Sequence, residues 1–340
     1  MGVVDLRALG EFGLIEAIRR RARVDRSVWR LGIGDDAAVL RARPHEELVF
    51  STDALVEDVH FRWRTTDARS LGDKSLAVNL SDLGAMGARA LGCLLTLGVP
   101  EDVEAARLDG FVAGLLRLAR TSHCPLVGGD TVRAPLWLIS ISVVGAVARG
   151  RALLRSGARV GDRIFVTGEF GGAAAGLALL DAPGAATPSE RRLIRRQLRP
   201  RPPLGVGVAL ARARLAHAAI DVSDGLAQDL GQIARESGVA ARVAVERVPL
   251  AAGLERAAAR LGLDPAVLAL SGGEDYELLF AAPRGGLSAE VYTRRLGCRV
   301  TEIGAFARGS GVHFSREGRA YTLAAAGFAH FKPAPRASDK

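Results

Sequence analysis

Two hydrophobic periods exchange regularly along the chain, and this exchange most limits what it can fold into. In "PLWLISISVVGAVARG", Trp137, Ile139, Ile141 and Val143 alternate with Ser140 and Ser142, the period of a strand with one buried face. "RSLGDKSLAVNLSDLGAMGA" follows the other period: Ser75, Asn79, Asp82 and Met86 fall on one helical face. "DVEAARLDGFVAGLLRLARTS" reads as a second amphipathic helix, and Leu48 to Ser51 as a strand ending in a polar turn. "PLVGGDTVR" reads as a short strand and turn. Beyond Gly150–Asp162, where Gly and Arg break the pattern, "RIFVTG" is a strand and "EFGGAAAGLALL" turns into a helix. "LARARLAHAAIDVSDGLAQDLGQIARESG" reads as helix, strand, turn and helix, and "LSGGEDYELLFAAP" as a glycine turn feeding a strand. Strands alternating with helices in both halves predict an α+β or α/β class. The 340 residues suit two domains, expected at 1–148 and 149–332, with 333–340 a disordered tail.

Hydrophobic residues at 49% and charged residues at 24% suit a folded soluble chain. The net charge of +9 admits nucleic acid, a membrane surface or small anions as partners. The arginines are spread along the chain, and the densest cluster, Arg191 to Pro200, carries Leu193, Ile194 and Leu198 at helical spacing. A solvated helix face is its ordinary explanation. Neither zinc-finger spacing nor an aromatic-rich RNA motif accompanies it, so no nucleic-acid partner is expected. Cys93, Cys124 and Cys298 are widely separated and odd in number, which argues against a disulfide framework and for a reducing cytoplasm. No signal pattern opens the chain, and no run approaches the roughly 18 apolar residues of a membrane span.

Acidic residues gather at glycine-bearing turns beside apolar strands. "LGIGDDAAVL" holds Asp35 and Asp36; "STD" is Ser51, Thr52 and Asp53; "GGDT" holds Asp130. "IDVSDG" holds Asp221, Ser223 and Asp224, and "SGGED" holds Glu274 and Asp275. Singly, each could order a turn or cap a helix, as Ser223 or Asp224 would before "GLAQDL". Together in a cleft they would repel unless cations neutralised them. Carboxylates, hydroxyls and an amide are hard oxygen donors, so Mg²⁺ is the expected cation, several ions with a phosphate ligand. Neighbouring glycines would let the backbone approach that phosphate. "GEFGGAAAG" (Gly168 to Gly176) lacks Gly-Lys-Ser/Thr and reads as a helix start, not a P-loop. His60, seven residues past Asp53, is a core or ligand-contact histidine.

Seven segments in one order, "GIGDDAAVL", "STDALVEDVHF", "NLSDLGAMGA", "GGDT", "GRALLRSGA", "IDVSDGLAQDL" and "SGGEDYEL", resemble the thiamine-monophosphate kinase family. That family lies within the superfamily of aminoimidazole ribonucleotide synthetase. The resemblance runs from Gly10 to Phe331, nearly the whole chain. It implies ATP-dependent phosphorylation of thiamine monophosphate to thiamine diphosphate. It also implies a homodimer in which the N-terminal mixed sheets form a barrel at the dimer interface, each backed by a C-terminal α/β domain. The matching Mg²⁺ positions are Asp36, Ser51, Thr52, Asp53, Asp82, Asp130, Asp221 and Asp224. The ATP positions are Gly129, Asp130, Arg155 and Ser223, and the thiamine end would meet His60, Glu274 and Phe328. The acceptor is a phosphate oxygen, already anionic, so no general base is required and in-line transfer through metal and electrostatic catalysis is expected.

Other ATP-dependent enzymes of the superfamily are the alternative. A selenophosphate synthetase would want a reactive Cys near the N-terminal glycines, whereas the first here is Cys93. The chain departs from the family at Asp58, where a small residue is common, and at Phe328, where Tyr or Trp would also fit.

Overall fold

The computed structural model describes residues 6–33 and 37–323; Asp35, Asp36, Phe328 and the 333–340 tail lie outside the described residues. The first half contains α1 (Leu6–Arg21), β1 (Trp29–Leu31), β2 (Val39–Leu40), β3 (Glu46–Val56), α2 (Ala68–Ala85), β4 (Arg89–Val99), α3 (Ala105–Thr121), β5 (Leu126–Arg133) and β6 (Leu138–Ala148). β1 and β2 form a short hairpin, and the other four strands form a sheet in the order β3-β6-β4-β5. β3–β6 and β4–β6 are antiparallel, and β4–β5 is parallel. The period-2 reading of the Trp137 segment holds: Ile139, Ile141 and Val143 are buried, Ser140 and Ser142 less so. β3 is longer than the Leu48–Ser51 expectation, because pairing with β6 carries it in register from Glu46↔Ala148 to Val56↔Leu138.

The second half contains β7 (Arg163–Thr167), α4 (Gly172–Leu180), α5 (Pro188–Leu198), α6 (Leu204–Ala213), β8 (Ala218–Asp221), α7 (Leu226–Ser237) and β9 (Ala240–Ala244). It continues through α8 (Leu254–Leu261), α9 (Pro265–Ser271), β10 (Leu278–Ala282), α10 (Ala289–Leu296), β11 (Val300–Ala307), β12 (Val312–Arg316) and β13 (Arg319–Tyr321). One sheet runs β13-β12-β9-β11-β7-β10-β8. The expected alternation holds only in part, since α4, α5 and α6 follow one another and β11, β12 and β13 close the series, and only β9–β12 pair in parallel. Consecutive strands are seldom neighbours, so chain order alone does not set strand direction in the sheet.

α2 is the central element. Asp67 caps it, accepting from the Ser70 N–H at 2.9 Å, and fifteen of its residues are buried. A helix buried almost all round needs small residues wherever its neighbours cross closely. A Cβ at Gly72 would lie 2.0 Å from Phe111 O, and one at Gly207 of α6 would lie 1.7 Å from Gly84 O. α2 therefore packs against α3 on one side and against α6, from the second half, on another. One core cluster joins Leu76, Leu80 and Phe111 to Phe165, Phe280 and Tyr292 of the second half. The Phe165 and Phe280 rings stack at 5.3 Å.

The far face of the four-stranded sheet carries Leu48, Phe50, Leu94, Val132 and Leu138, all exposed, with Phe50 at 68%. This apolar strip has no covering helix among the described residues.

Candidate active site

Strand alternation selects which acids enter the cleft between the halves. On β3, Ser51, Asp53 and Leu55 point towards α2, and Thr52 points away. Ser51 Oγ donates to Asp82 Oδ2 at 2.5 Å, and the Asp53 N–H donates to Asn79 Oδ1 at 3.0 Å. The helical face inferred from spacing thus reaches the strand through Asn79 and Asp82. From the second half, Asp221 ends β8 and accepts from Ser81 Oγ at 2.7 Å. Asp224 follows in the turn to α7.

These acids share one field. Burial, with Asp82 and Asp224 nearby, pushes the Asp53 carboxyl up to about 6. Burial, with Asp82 alongside, pushes Asp221 up to about 7. Asp82 is raised by burial, against Ser51's hydrogen bond and the positive charge of Arg155. Such a set gains from a cation. Among the described residues, no three His, Cys, Asp or Glu side chains converge tightly enough to form a closed metal site by themselves. Mg²⁺ does not require one, since it keeps waters and shares carboxylates with substrate phosphates. The donor set fits it.

The local capping expectation for Ser223 and Asp224 fails. Gly225 is the N-cap of α7 and makes no side-chain cap bond. Asp229, one turn into α7, instead accepts from the N–H groups of Ser223, Asp224 and Gly225 at 3.0, 3.1 and 3.1 Å. Burial, with Asp224 adjacent, pushes Asp229 up to about 7. The Ser223 hydroxyl is thereby left free of capping, and Asp224 accepts from Gln228 Nε2 at 2.8 Å.

A cavity of about 570 Å³ opens from the acids. Asp53, Asp82, Asp221, Ser223 and Asp224 line it together with His60, Lys74, Gln197, Glu274 and Tyr276, and Leu55, Phe61, Leu177 and Leu180 add apolar wall. His60 Nδ1 accepts from the Val56 N–H at 3.0 Å, which orients the ring in the turn after β3. Asp58 is exposed in that turn at φ +63°, with its N–H on Phe61 O at 2.8 Å, so it is a turn residue. Glu274 and Tyr276 take φ of +67° and +49°, uncommon for side-chain-bearing residues. The Glu274 N–H donates to Ser223 O at 2.7 Å and the Tyr276 N–H to Val222 O at 2.8 Å, joining the two acidic loops. The adjoining glycines serve that junction: a Cβ at Gly273 would lie 2.5 Å from Ser223 O, and one at Gly225 2.8 Å from Ser271 O.

Not every expected site residue is brought together. The Thr52 hydroxyl lies on the outer face and donates to Ile141 O at 3.1 Å. Gly129 and Asp130 lie within β5, not at a turn, and are exposed. Gly129 is required there because a Cβ would fall 1.9 Å from Leu95 O. β3 and β5 are opposite edges of the sheet, so Asp130 is three strand spacings from Asp53, roughly 14 Å. Arg155 is exposed beside Asp82. Asp36 and Phe328 lie outside the described residues.

Lys74, Gln197, Tyr276 and Asp229 were not legible as site residues. Only the placement of Lys74 and Asp229 on apolar helix faces offered a signal. The Gly168–Gly176 segment is a helix start, as expected: Asp275 accepts from the Gly171 and Ala173 N–H groups at 2.7 and 3.0 Å. The arginine cluster is partly committed to ion pairs. Arg196 bonds Glu169 at 2.8 Å, and the following Arg201 bonds Asp73 of α2 at 2.5 Å. All three cysteines are free thiols.

This two-sheet arrangement with an acidic cleft between its halves coincides with known family boundaries. Residues 34–147 match the AIR synthase related protein N-terminal domain, and residues 159–312 match the corresponding C-terminal domain. The chain is 43% identical to the thiamine-monophosphate kinase of Escherichia coli (strain K12) over 331 residues, 95% of this chain and 99% of that one. It is similar to the solved thiamine-monophosphate kinase of Stenotrophomonas maltophilia K279a, with TM-score 0.81 and 43% identity, covering 92% and 98% of the two chains. It is also similar to AaThiL complexed with AMPPCP and TMP, with TM-score 0.75 and 34% identity, covering 97% and 100%. The chain belongs to the AIR synthase-related family and, within it, to the thiamine-monophosphate kinases.

Proposed function

We propose that this protein transfers a phosphoryl group from ATP to thiamine monophosphate, giving thiamine diphosphate, as a Mg²⁺-dependent cytoplasmic homodimer. The observation that carries this reading is a shared cavity: the carboxylates and a set of polar and apolar side chains line one space of about 570 Å³, large enough for a heterocycle. Relatives of near full length carry the kinase name, and one is solved with AMPPCP and TMP. No helix among the described residues is long and apolar enough to cross a membrane.

Asp53, Asp82, Asp221 and Asp224, with Asp36, Ser51 and Asp130, would hold Mg²⁺, whereas the Thr52 hydroxyl is turned away from them towards Ile141 O. Bound there, Mg²⁺ would neutralise the ATP polyphosphate and the acceptor phosphate and align them. Gly129, Asp130, Arg155 and Ser223 bind ATP, and His60, Glu274 and Phe328 hold the thiamine end. Asp229 keeps the Ser223–Gly225 turn in shape for this, and Lys74 keeps Glu274 in place through a 2.7 Å ion pair. The acceptor oxygen is anionic, so the protein positions it without a general base and transfer is direct and in line. Residues 1–148 form the ATP/Mg²⁺-binding and dimerisation domain, and residues 149–332 the second domain.

The apolar outer face of the first sheet supports the dimer. Two such sheets closing around a two-fold axis into a barrel would bury Leu48, Phe50 and Leu94 and remove both exposed edges. β3 of one protomer would then lie beside β5 of its partner. That pairing would bring Asp130 of the partner subunit to the edge that carries Asp53, which the single chain does not achieve.

Incubation with ATP, Mg²⁺ and thiamine monophosphate should yield thiamine diphosphate and ADP in equal amounts by chromatography. With acceptor absent, γ-labelled ATP should leave no label on the protein. Absence of thiamine diphosphate sinks the reading; a chaseable phosphoprotein sinks the direct route alone.

A further inference from the structure

We propose that Gln197 determines substrate specificity by accepting a hydrogen bond from the exocyclic amino group of the pyrimidine, with Glu274 and Lys74 as its positioning residues. This rests on the functional reading above and names a residue that reading does not use.

Gln197 is 4% exposed, sits near the end of α5 and lines the cavity. Its Nε2 donates to Glu274 Oε2, while its Oε1 is buried with no partner among the described residues. A carboxylate only accepts, so the contact with Glu274 settles which end of the amide is the donor. Glu274 is itself held: the buried Lys74 ammonium donates to Oε1 at 2.7 Å, and its own backbone N–H is bonded to Ser223 O at 2.7 Å. The chain of contacts Lys74–Glu274–Gln197 therefore prevents the amide from flipping. What remains is one unpaired acceptor on a side chain that lines the cavity.

A buried acceptor left without a donor is costly, and a ligand N–H that reaches it recovers that cost. The terminal torsion of glutamine is soft, so a small turn of the amide plane suffices to bring Oε1 to the ligand. An amino group offers the required donor. An oxygen at the same place offers lone pairs and meets Oε1 with repulsion. A pocket built on a hydrogen bond discriminates far better than one built on shape. α2 and α5 belong to different halves of the chain, so this acceptor is assembled only when the two halves pack together.

The test compares thiamine monophosphate with its analogue bearing oxygen in place of the pyrimidine amino group, using the full chain with ATP and Mg²⁺. The unsubstituted protein should favour the amino compound in kcat/KM on the order of 100-fold. Gln197→Met should reduce that preference to within about fivefold, leaving KM for ATP unchanged. If Gln197→Met does not fold, as thermal melting would show, Gln197→Asn retracts the same acceptor by one methylene and should lower the preference in the same direction. Turnover of thiamine monophosphate with the preference intact in the folded variant overturns the role of Gln197 and leaves the kinase reading standing. Absence of turnover in the unsubstituted protein overturns both.

Discussion

Asp82 is the acid on which the others converge. It takes the Ser51 hydroxyl, feels Arg155, and its negative charge raises the carboxyls of both Asp53 and Asp221. Replacing it with Asn keeps an acceptor for Ser51 and removes the charge. Asp82→Asn should lower kcat/KM by at least about 100-fold, near 3 kcal/mol of transition-state stabilisation. Thermal stability of the metal-free protein should hold or rise, because repulsion with Asp53 and Asp221 is relieved. Steady-state kinetics beside a melting curve checks both, and near-normal turnover would show that the acids do not act as one cluster. At this scale the sequence was legible for the acids and illegible for their holders. Asp53 and Asp221 border glycines or hydroxyls in short motifs, whereas Asp229 acts across a helical turn on backbone groups, and any helix contains such residues.

α4 shows how an element is fixed by a residue far away in sequence. Its first turn would leave N–H groups unsatisfied, and Asp275 accepts two of them. Burial nevertheless outweighs those bonds and pushes the Asp275 carboxyl from its ordinary 3.8 up to about 7. A carboxyl raised on folding stabilises the fold while protonated. Its contribution is complete below about 4 and is lost as pH rises towards about 7. Asp275→Asn, neutral at every pH, should therefore flatten the decline in melting temperature between those two values. An unchanged slope in calorimetric melts would assign the decline to other carboxyls. The same helix start was legible as structural because its glycines lack the Lys and Ser/Thr of a phosphate loop. That an aspartate a hundred residues later fills it was not.

At the scale of the whole molecule, the four-stranded sheet leaves an apolar face and two edges open. Leu94 is 39% exposed on that face and does not line the cavity. Leu94→Glu should give a folded monomer by light scattering. Because the partner subunit's Asp130 would then be withdrawn, turnover should also fall by more than about tenfold. A monomer with full activity would place Asp130 outside the reaction. The barrel could be expected only from resemblance. Period-2 patterning says that one face of β6 is buried, but not whether the other meets water or a second sheet.

The sequence by itself determined the periodic elements, the acid-bearing turns and their order, because each depends on neighbours within a few residues. Its ordered motifs also determined the family. Tertiary structure alone decided which of those residues meet. Ser51 and Thr52 are adjacent in the chain, yet pleating sends one hydroxyl to Asp82 and the other to Ile141 O. Asp130 belongs to the same motif set as Asp53, and strand order sets them at opposite edges of one sheet. Lys74, Gln197 and Glu274 carry no common motif, and long-range packing of α2 against the second half brings them within hydrogen-bond reach. Local periodicity is written residue by residue; convergence arises only when distant segments bury one another's apolar faces.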